Sequence, residues 1–171
     1  MRILHVYRDG PGRPGGIERH IELSCRYQQA WADVEILACS RRPWPGSYTW
    51  RNIRVSETAE FGRVSGVPVA PGLITALKHS NADIIVLHSP NPSAELAWLI
   101  ARPRARLVIR YHSDIMRQLW LGKLYAPFFD AVLRQAHAIV PSSQAYMESS
   151  RTLRPWIRKC TPIPLGITPE D

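Results

Sequence analysis

The sequence predicts an α/β domain built on a doubly wound parallel sheet. Three observations carry that expectation. Short β-rich apolar runs alternate with longer segments of helical periodicity. The run Ile84-Ile85-Val86-Leu87 is apolar throughout, as a strand covered on both faces is. At 171 residues the chain is one domain's worth, enough to bury about 70% of its unfolded surface.

The elements follow in order. Ile3–Tyr7 is the first strand. Residues 16–31 read as a helix with Ile17, Ile21, Ser24 and Cys25 inside and Glu18, Arg19, Glu22, Arg26 and Gln29 outside. Val34–Ala38 is a second strand, and the basic, aromatic stretch from Arg41 to Arg51 reads as loose chain. Ile53–Val55 is a third strand, residues 60–72 are Gly- and Pro-rich loop, and Leu73–His79 is a short helix entered at Pro71. The second half repeats the unit with a strand at Asp83–His88, a helix at Ala94–Ala101 and a strand at Leu107–His112. A long helical region, Ile115 to Gln135, is expected to kink or break at Pro127. Ala138–Val140 is a strand, Ser142 or Ser143 caps the next helix, and Cys160–Leu165 is a last strand before Gly166.

Bulk properties narrow the chemistry. A content of 45% hydrophobic and 21% charged residues is that of a globular protein. The net charge of +8 favours anionic partners: phosphates, nucleic acid or acidic lipid. Cys25, Cys39 and Cys160 are odd in number and unclustered, which suits reduced thiols and excludes a zinc knuckle. No apolar run reaches membrane-spanning length, and the apolar start after Met1-Arg2 is too short for a signal peptide, so a soluble, cytoplasmic chain is expected.

The sharpest local feature is Gly15-Gly16, placed after the first strand and opening the helix Ile17-Glu18-Arg19-His20-Ile21. Amides of a first helical turn lack internal partners, and the helix dipole adds partial positive charge, so a strand–glycine loop–helix unit suits phosphate. In doubly wound sheets ligands lie at the carboxyl ends of strands. Those ends carry Arg8 and the glycine loop, His88-Ser89, His112-Ser113-Asp114, Ser142-Ser143 and Gly166. Asp114 is a helix N-cap or a ligand contact; Glu18 complements the dipole; His5, His20, His79 and His137 receive no role. His88 and His112 lack a third metal ligand, so no metal is expected, and no G-x-S-x-G nucleophile motif occurs.

Two rival readings are weighed. Gly10-Pro11-Gly12-Arg13-Pro14-Gly15 satisfies G-x-G-x-x-G, with Arg41-Arg42 available for the 2′-phosphate of NADP. Against this oxidoreductase reading, Pro14 would fall inside the first helical turn, whereas helical periodicity begins only at Gly16 or Ile17. Nucleic-acid binding through the arginines is the second rival. The basic residues are spread over several elements and no groove-reading module is present, so no nucleic-acid partner is expected.

Taken together, Met1-Arg2-Ile3-Leu4-His5-Val6, Gly15-Gly16-Ile17-Glu18, His88-Ser89-Pro90, Tyr111-His112-Ser113-Asp114-Ile115 and Ile163-Pro164-Leu165-Gly166-Ile167 resemble the amino-terminal, Rossmann-like domain of GT-B glycosyltransferases. More narrowly, the chain is similar to retaining family-four enzymes. The resemblance implies a nucleotide-sugar donor, a hydroxyl acceptor on a glycan or lipid-linked glycan, and no cofactor. It implies that Gly15 and Gly16 touch the donor diphosphate and that His112 faces the transferred sugar as a positioning and charge-stabilising catalytic residue. His88, Asp114, Arg117 and Gln118 are the acceptor-side candidates. Residues 1–165 would form the domain and 166–171 the start of an interdomain linker, with the second, donor-binding domain missing and the chain inactive alone. Basic-aromatic clusters at 117–129 and 151–159, with Arg102, Arg104 and Arg106, suggest peripheral contact with an anionic membrane surface.

Overall fold

The structure, a computed structural model, describes residues 1–113 and 119–166, the side chains of 119–124 excepted. Its centre is a seven-stranded sheet. The strands are β1 (Arg2–Val6), β2 (Asp33–Ser40), β3 (Gly46–Trp50), β4 (Ile53–Ala59), β7 (Ile84–Ser89), β8 (Arg106–Tyr111) and β9 (Ala138–Pro141). They lie in the order β3-β4-β2-β1-β7-β8-β9. A small separate hairpin pairs β5 (Arg63–Val64) with β6 (Val67–Pro68). All pairings in the main sheet are parallel except β3 with β4. The doubly wound α/β expectation is met.

Helix α1 (Gly16–Gln28) covers one face, where Ile21 and Cys25 pack on Tyr7, Val34, Ile36, Ile53 and Val55. Helices α2 (Gly72–Lys78), α3 (Pro92–Ala101) and α4 (Leu119–Gln135) cover the other. There Leu73, Leu77, Trp98, Val132 and Leu133 meet Leu4, Val6, Leu87, Leu107 and Ile109. Side-chain alternation along each strand sends neighbours to opposite layers. Leu4 and Val6 therefore join the larger core, and His5 turns toward α1's side.

Several local expectations are corrected. The loose stretch 41–51 contains edge strand β3, joined to β4 through Arg51 and Asn52, both at positive φ as a tight hairpin requires. The loop 60–72 contains β5 and β6, turned through Ser65 and Gly66 at φ 51° and 82°. Residues 160–165 do not form a strand. Pro162 and Pro164 carry no N–H, and only one parallel bridge forms, Ile139 to Cys160. A 3-10 turn, Arg154–Lys159, precedes it. Pro127 does not break α4, which runs from Leu119 to Gln135. Helix α5 (Gln144–Ser149) is capped by Ser143, whose hydroxyl accepts from the Tyr146 N–H at 3.1 Å. Glu22, expected outside, is buried, because its carboxylate accepts from the Gly12 N–H at 2.8 Å as the glycine loop folds over it. All three thiols are free; burial pushes Cys25 up to about 12 and Cys39 up to about 11, which makes them inert packing groups at neutral pH.

Candidate functional site

Strand order reverses direction at β1, which has β2 on one side and β7 on the other. The crevice beyond the carboxyl ends of β1 and β7 is therefore where a doubly wound sheet takes its ligand. The first wall of that crevice is the loop from Tyr7 to Gly15. Gly15 is the N-cap of α1 and offers no side chain, and the first helical bond is Arg19 N–H to Gly15 C=O at 2.9 Å. The amides of the first turn thus have no side-chain cap. A Cβ on Gly16 would enter open space, whereas one on Gly15 would collide with the Glu18 carboxylate folded back over it. The helix begins after the last glycine of the Gly10–Gly15 series, not within it, which leaves the dinucleotide fingerprint without its geometry. A groove of about 370 Å³ between Arg2, Glu35, Arg54 and His79 lies at the opposite, amino-terminal edge of the sheet.

The second wall is a row of imidazoles. Strand alternation and parallel register place His5 of β1, His88 and Arg110 on neighbouring strands of one face, and His112 continues from β8 with its N–H bonded to Ser89 C=O at 2.9 Å. His5 Nε2 meets Gln28 Oε1 at 2.7 Å, His5 Nδ1 meets His88 Nε2 at 2.9 Å, and His88 Nδ1 meets His112 Nε2 at 3.0 Å. The rings stack: centroids are 5.2 Å apart for His5 and His88 and 5.3 Å for His88 and His112. His20, one turn into α1, sets its edge against His88 and His112 at 6.3 and 5.7 Å. The helix that opens at the glycine loop therefore borders His112 directly.

Electrostatics keep this row neutral. Burial lowers His5 to about 4, His20 to about 4 and His112 to about 3, and holds His88 well below the ordinary histidine range. The Arg110 guanidinium adds to the effect at His20, His88 and His112. Arg110 is itself 5% exposed, and its Nε and Nη2 have no hydrogen-bond partner among the described residues. The ring nitrogens face one another instead of converging, and no group of three His, Cys, Asp or Glu among the described residues is placed to hold a metal ion.

Two further clusters frame the edge. Asp9, buried at the end of β1, draws the guanidinium groups of Arg63 at 2.9 Å, Arg41 at 3.4 Å, Arg8 at 3.5 Å and Arg13 at 3.6 Å. Glu60 holds Arg63 from its other side at 2.8 Å. Arg41 is thus committed to Asp9 and not set out for a 2′-phosphate. Beyond β7, Asn91 caps α3: its side-chain oxygen accepts from Ala94 N–H at 3.4 Å, and Glu95 Oε1 accepts from Asn91 N–H at 2.9 Å. Burial raises Glu95 to about 7.

Gly15, Gly16, His88 and His112 are thus gathered at one edge of the sheet. Asp114, Arg117 and Gln118 lie outside the described residues. His88 is 1% exposed and both of its ring nitrogens bond other imidazoles, so any contact with an acceptor passes to His112. His5, His20 and Gln28, given no role by the sequence, belong to the same cluster. A histidine inside Ile3-Leu4-His5-Val6 was the available signal, because a polar side chain in a buried strand demands a partner.

Residues 15–166 match the family described as glycosyl transferase 4-like domain. The chain is 36% identical to the O-antigen chain mannosyltransferase C of Escherichia coli over 177 aligned positions, covering 100% of this chain and 47% of that protein. Its fold matches sucrose-phosphate synthase from Thermosynechococcus elongatus with a TM-score of 0.66 at 15% identity, covering 98% of this chain and 48% of the other. It matches Anabaena Alr3699/HepE in complex with UDP-glucose with a TM-score of 0.58 at 16% identity, covering 98% and 44%. The chain spans about half the length of the curated relatives it matches. With the crevice at the switch point, the sheet order and the match over nearly its whole length, the chain belongs to the glycosyl transferase 4-like domain family and has the fold of a GT-B Rossmann-like domain.

Proposed function

We propose that this chain is the acceptor-side half of a retaining glycosyltransferase that moves a sugar from a nucleotide-sugar donor to a hydroxyl on a glycan or lipid-linked glycan. The observation that carries the reading is the pairing of uncapped first-turn amides at Gly15 and Gly16 with the neutral ring of His112 across one crevice. The amides and dipole of α1 favour a diphosphate. The E. coli relative, a mannosyltransferase by name, and the HepE structure, which holds UDP-glucose, support the donor class.

In this reading the acceptor oxygen bonds the anomeric carbon on the face from which the diphosphate departs. The carbon–phosphate oxygen bond breaks, and the acceptor's hydroxyl proton passes to the departing phosphate oxygen. No protein base is required, which agrees with burial lowering His112 to about 3 and making the ring a poor proton acceptor. His112 and the glycine loop hold the two reacting groups in register, and positioning of that kind is worth several powers of ten in rate. The groups that hold the donor's base belong to a second domain in this proposal, so the chain alone should bind donor weakly and turn nothing over.

The test is a transfer assay with a labelled nucleotide sugar and a lipid-linked glycan acceptor. It is run on the 171-residue chain alone and on a polypeptide joining it to the second half of the E. coli relative. The joined protein is expected to turn over and the chain alone is not; His112→Ala lowers kcat by about 100-fold. Repeated turnover by the chain alone, or a joined protein that binds donor and stays inert, refutes the reading.

A further inference from the structure

We propose that Gln28, His5 and His88 form a one-directional hydrogen-bond relay that fixes His112 as the Nε2–H tautomer, so that His112 offers its ligand a bare Nδ1, an acceptor for a sugar hydroxyl and not a donor to phosphate. Gln28 is then a positioning residue acting through two other side chains.

A neutral imidazole carries a single ring proton. One ring nitrogen donates and the other accepts. Three contacts run without a gap from Gln28 to His5, His88 and His112, at 2.7, 2.9 and 3.0 Å. Setting the direction at one end therefore sets it at every link. If Gln28 Oε1 accepts, His5 must donate through Nε2 and accept at Nδ1. His88 must then donate through Nε2 and accept at Nδ1, and His112 must donate through Nε2. Nothing among the described residues bonds His112 Nδ1, and that ring is only partly buried, so its remaining lone pair is what a ligand meets.

A reversed amide at Gln28 would invert every link, and Arg110 decides against it. Arg110 pairs with His88 from β8, two residues before His112 and one strand further from His5 of β1, so it stands toward the His112 end of the row. Nη1 makes one long bond to Val140 C=O at 3.5 Å, and no carboxylate pairs with the guanidinium among the described residues. An uncompensated buried cation attracts the negative pole of the relay. In the stated direction every lone pair points toward the His112 end and every N–H toward Gln28. Hydrogen-bond counting leaves two polarities, and the placement of the cation selects this one.

The direction of the relay does not depend on the glycosyltransferase reading; the identity of its ligand as a sugar hydroxyl rests on that reading. The test is the ring tautomer of each histidine in the 15N-labelled 171-residue chain, read from two-bond 1H–15N correlation spectra. His5, His88 and His112 are expected as single Nε2–H forms. Gln28→Glu, which can only accept, preserves them. Gln28→Lys, which can only donate, converts His112 to the Nδ1–H form, and Gln28→Leu raises the minor His112 tautomer several-fold. A wild-type His112 in the Nδ1–H form overturns the proposal without any variant, as does a His112 tautomer indifferent to all three substitutions. In the transfer assay of the joined protein, Gln28→Leu should lower kcat about tenfold with Gln28→Glu near wild type. Tautomers that follow Gln28 in a protein with no transferase activity would keep the relay and sink only the functional reading.

Discussion

Glu95 offers a stability prediction whose sign is set by burial. Its carboxyl is 1% exposed, Oε1 accepts from the Asn91 N–H, and Oε2 has no hydrogen-bond partner among the described residues. Removal from water raises it from 4.5 to about 7, the Asn91 N–H and the Ser89 hydroxyl beside it opposing only in part. The folded chain therefore binds this proton more tightly than the unfolded chain does. The contribution is fully present below pH 4.5 and is lost as pH rises through about 7. At 1.36 kcal/mol per pH decade the whole span is about 3 kcal/mol, of which about 2 kcal/mol falls between pH 5 and pH 8. Glu95→Gln keeps an oxygen for the Asn91 N–H and cannot ionise. Relative to wild type it should be neutral or up to about 1 kcal/mol less stable at pH 5, and should gain about 2 kcal/mol by pH 8. Urea midpoints of both proteins at four pH values give the difference, and every other titrating group cancels in the subtraction. A difference that stays flat from pH 5 to pH 8 would refute the reasoning.

The same background exposes the histidines. His5 is 2% exposed and lowered from 6.5 to about 4, so its contribution is present above pH 6.5 and lost as pH falls through about 4. In Glu95→Gln the urea stability should drop from pH 7 to pH 5 by at least the about 1–2 kcal/mol that His5 contributes, with His20, His88 and His112 acting in the same direction, and a rise on acidification contradicts this. Gly16→Ala places a Cβ in open space, so the thermal midpoint should hold while pyrophosphate-induced shifts of the Gly15–Glu18 amides, followed by NMR, are lost; retained shifts would remove the glycine loop from the diphosphate role. Asp9→Asn withdraws the carboxylate shared by Arg63, Arg41, Arg8 and Arg13, and should cost about 1–3 kcal/mol in urea unfolding because those partners remain partly solvated. Flotation with anionic and neutral vesicles tests the proposed membrane contact: Arg151, Arg154 and Arg158 are exposed, as is Ile157 at 45%, so anionic vesicles should retain the chain and Arg154→Glu/Arg158→Glu should release it.

Sequence periodicity located most strands and helices because burial on both sheet faces writes itself as continuous apolar runs. It failed where a segment lacks that mark. The strand Gly46–Trp50 lies at the sheet edge with most of its side chains in water, so no apolar rhythm announced it. Pro162 and Pro164 belong to an apolar stretch that cannot build a ladder. Lys159 looked like part of a basic membrane-facing cluster, yet its Nζ bonds the carbonyls of Arg134 at 2.7 Å and Ala136 at 2.9 Å, closing the end of α4. For the site, strand-end logic brought His88 and His112 together correctly. What it lacked was the β1–β7 adjacency and its register, which alone carry His5 to His88 and let α1 deliver His20 and Gln28.

That missing adjacency changes the chemistry assigned to the crevice. The resemblance to GT-B glycosyltransferases implies a His112 that positions the sugar and stabilises charge developing as the diphosphate departs. A ring lowered to about 3 beside the Arg110 cation carries no charge to give. The backbone donors of the site lie at the opened turn of α1, where amides and dipole meet the Gly15–Gly16 bend. On the reading proposed above, the two walls then divide the substrate by its own chemistry: the phosphate end meets backbone N–H groups, and the sugar end meets an imidazole lone pair. His112→Glu separates this from the alternative, since a carboxylate can still accept from a hydroxyl and repels an anion. Kept kcat within about tenfold of wild type in the joined protein supports a hydroxyl partner. A loss as deep as that of His112→Ala, with the relay tautomers of His5 and His88 intact, would assign the ring to the anion after all.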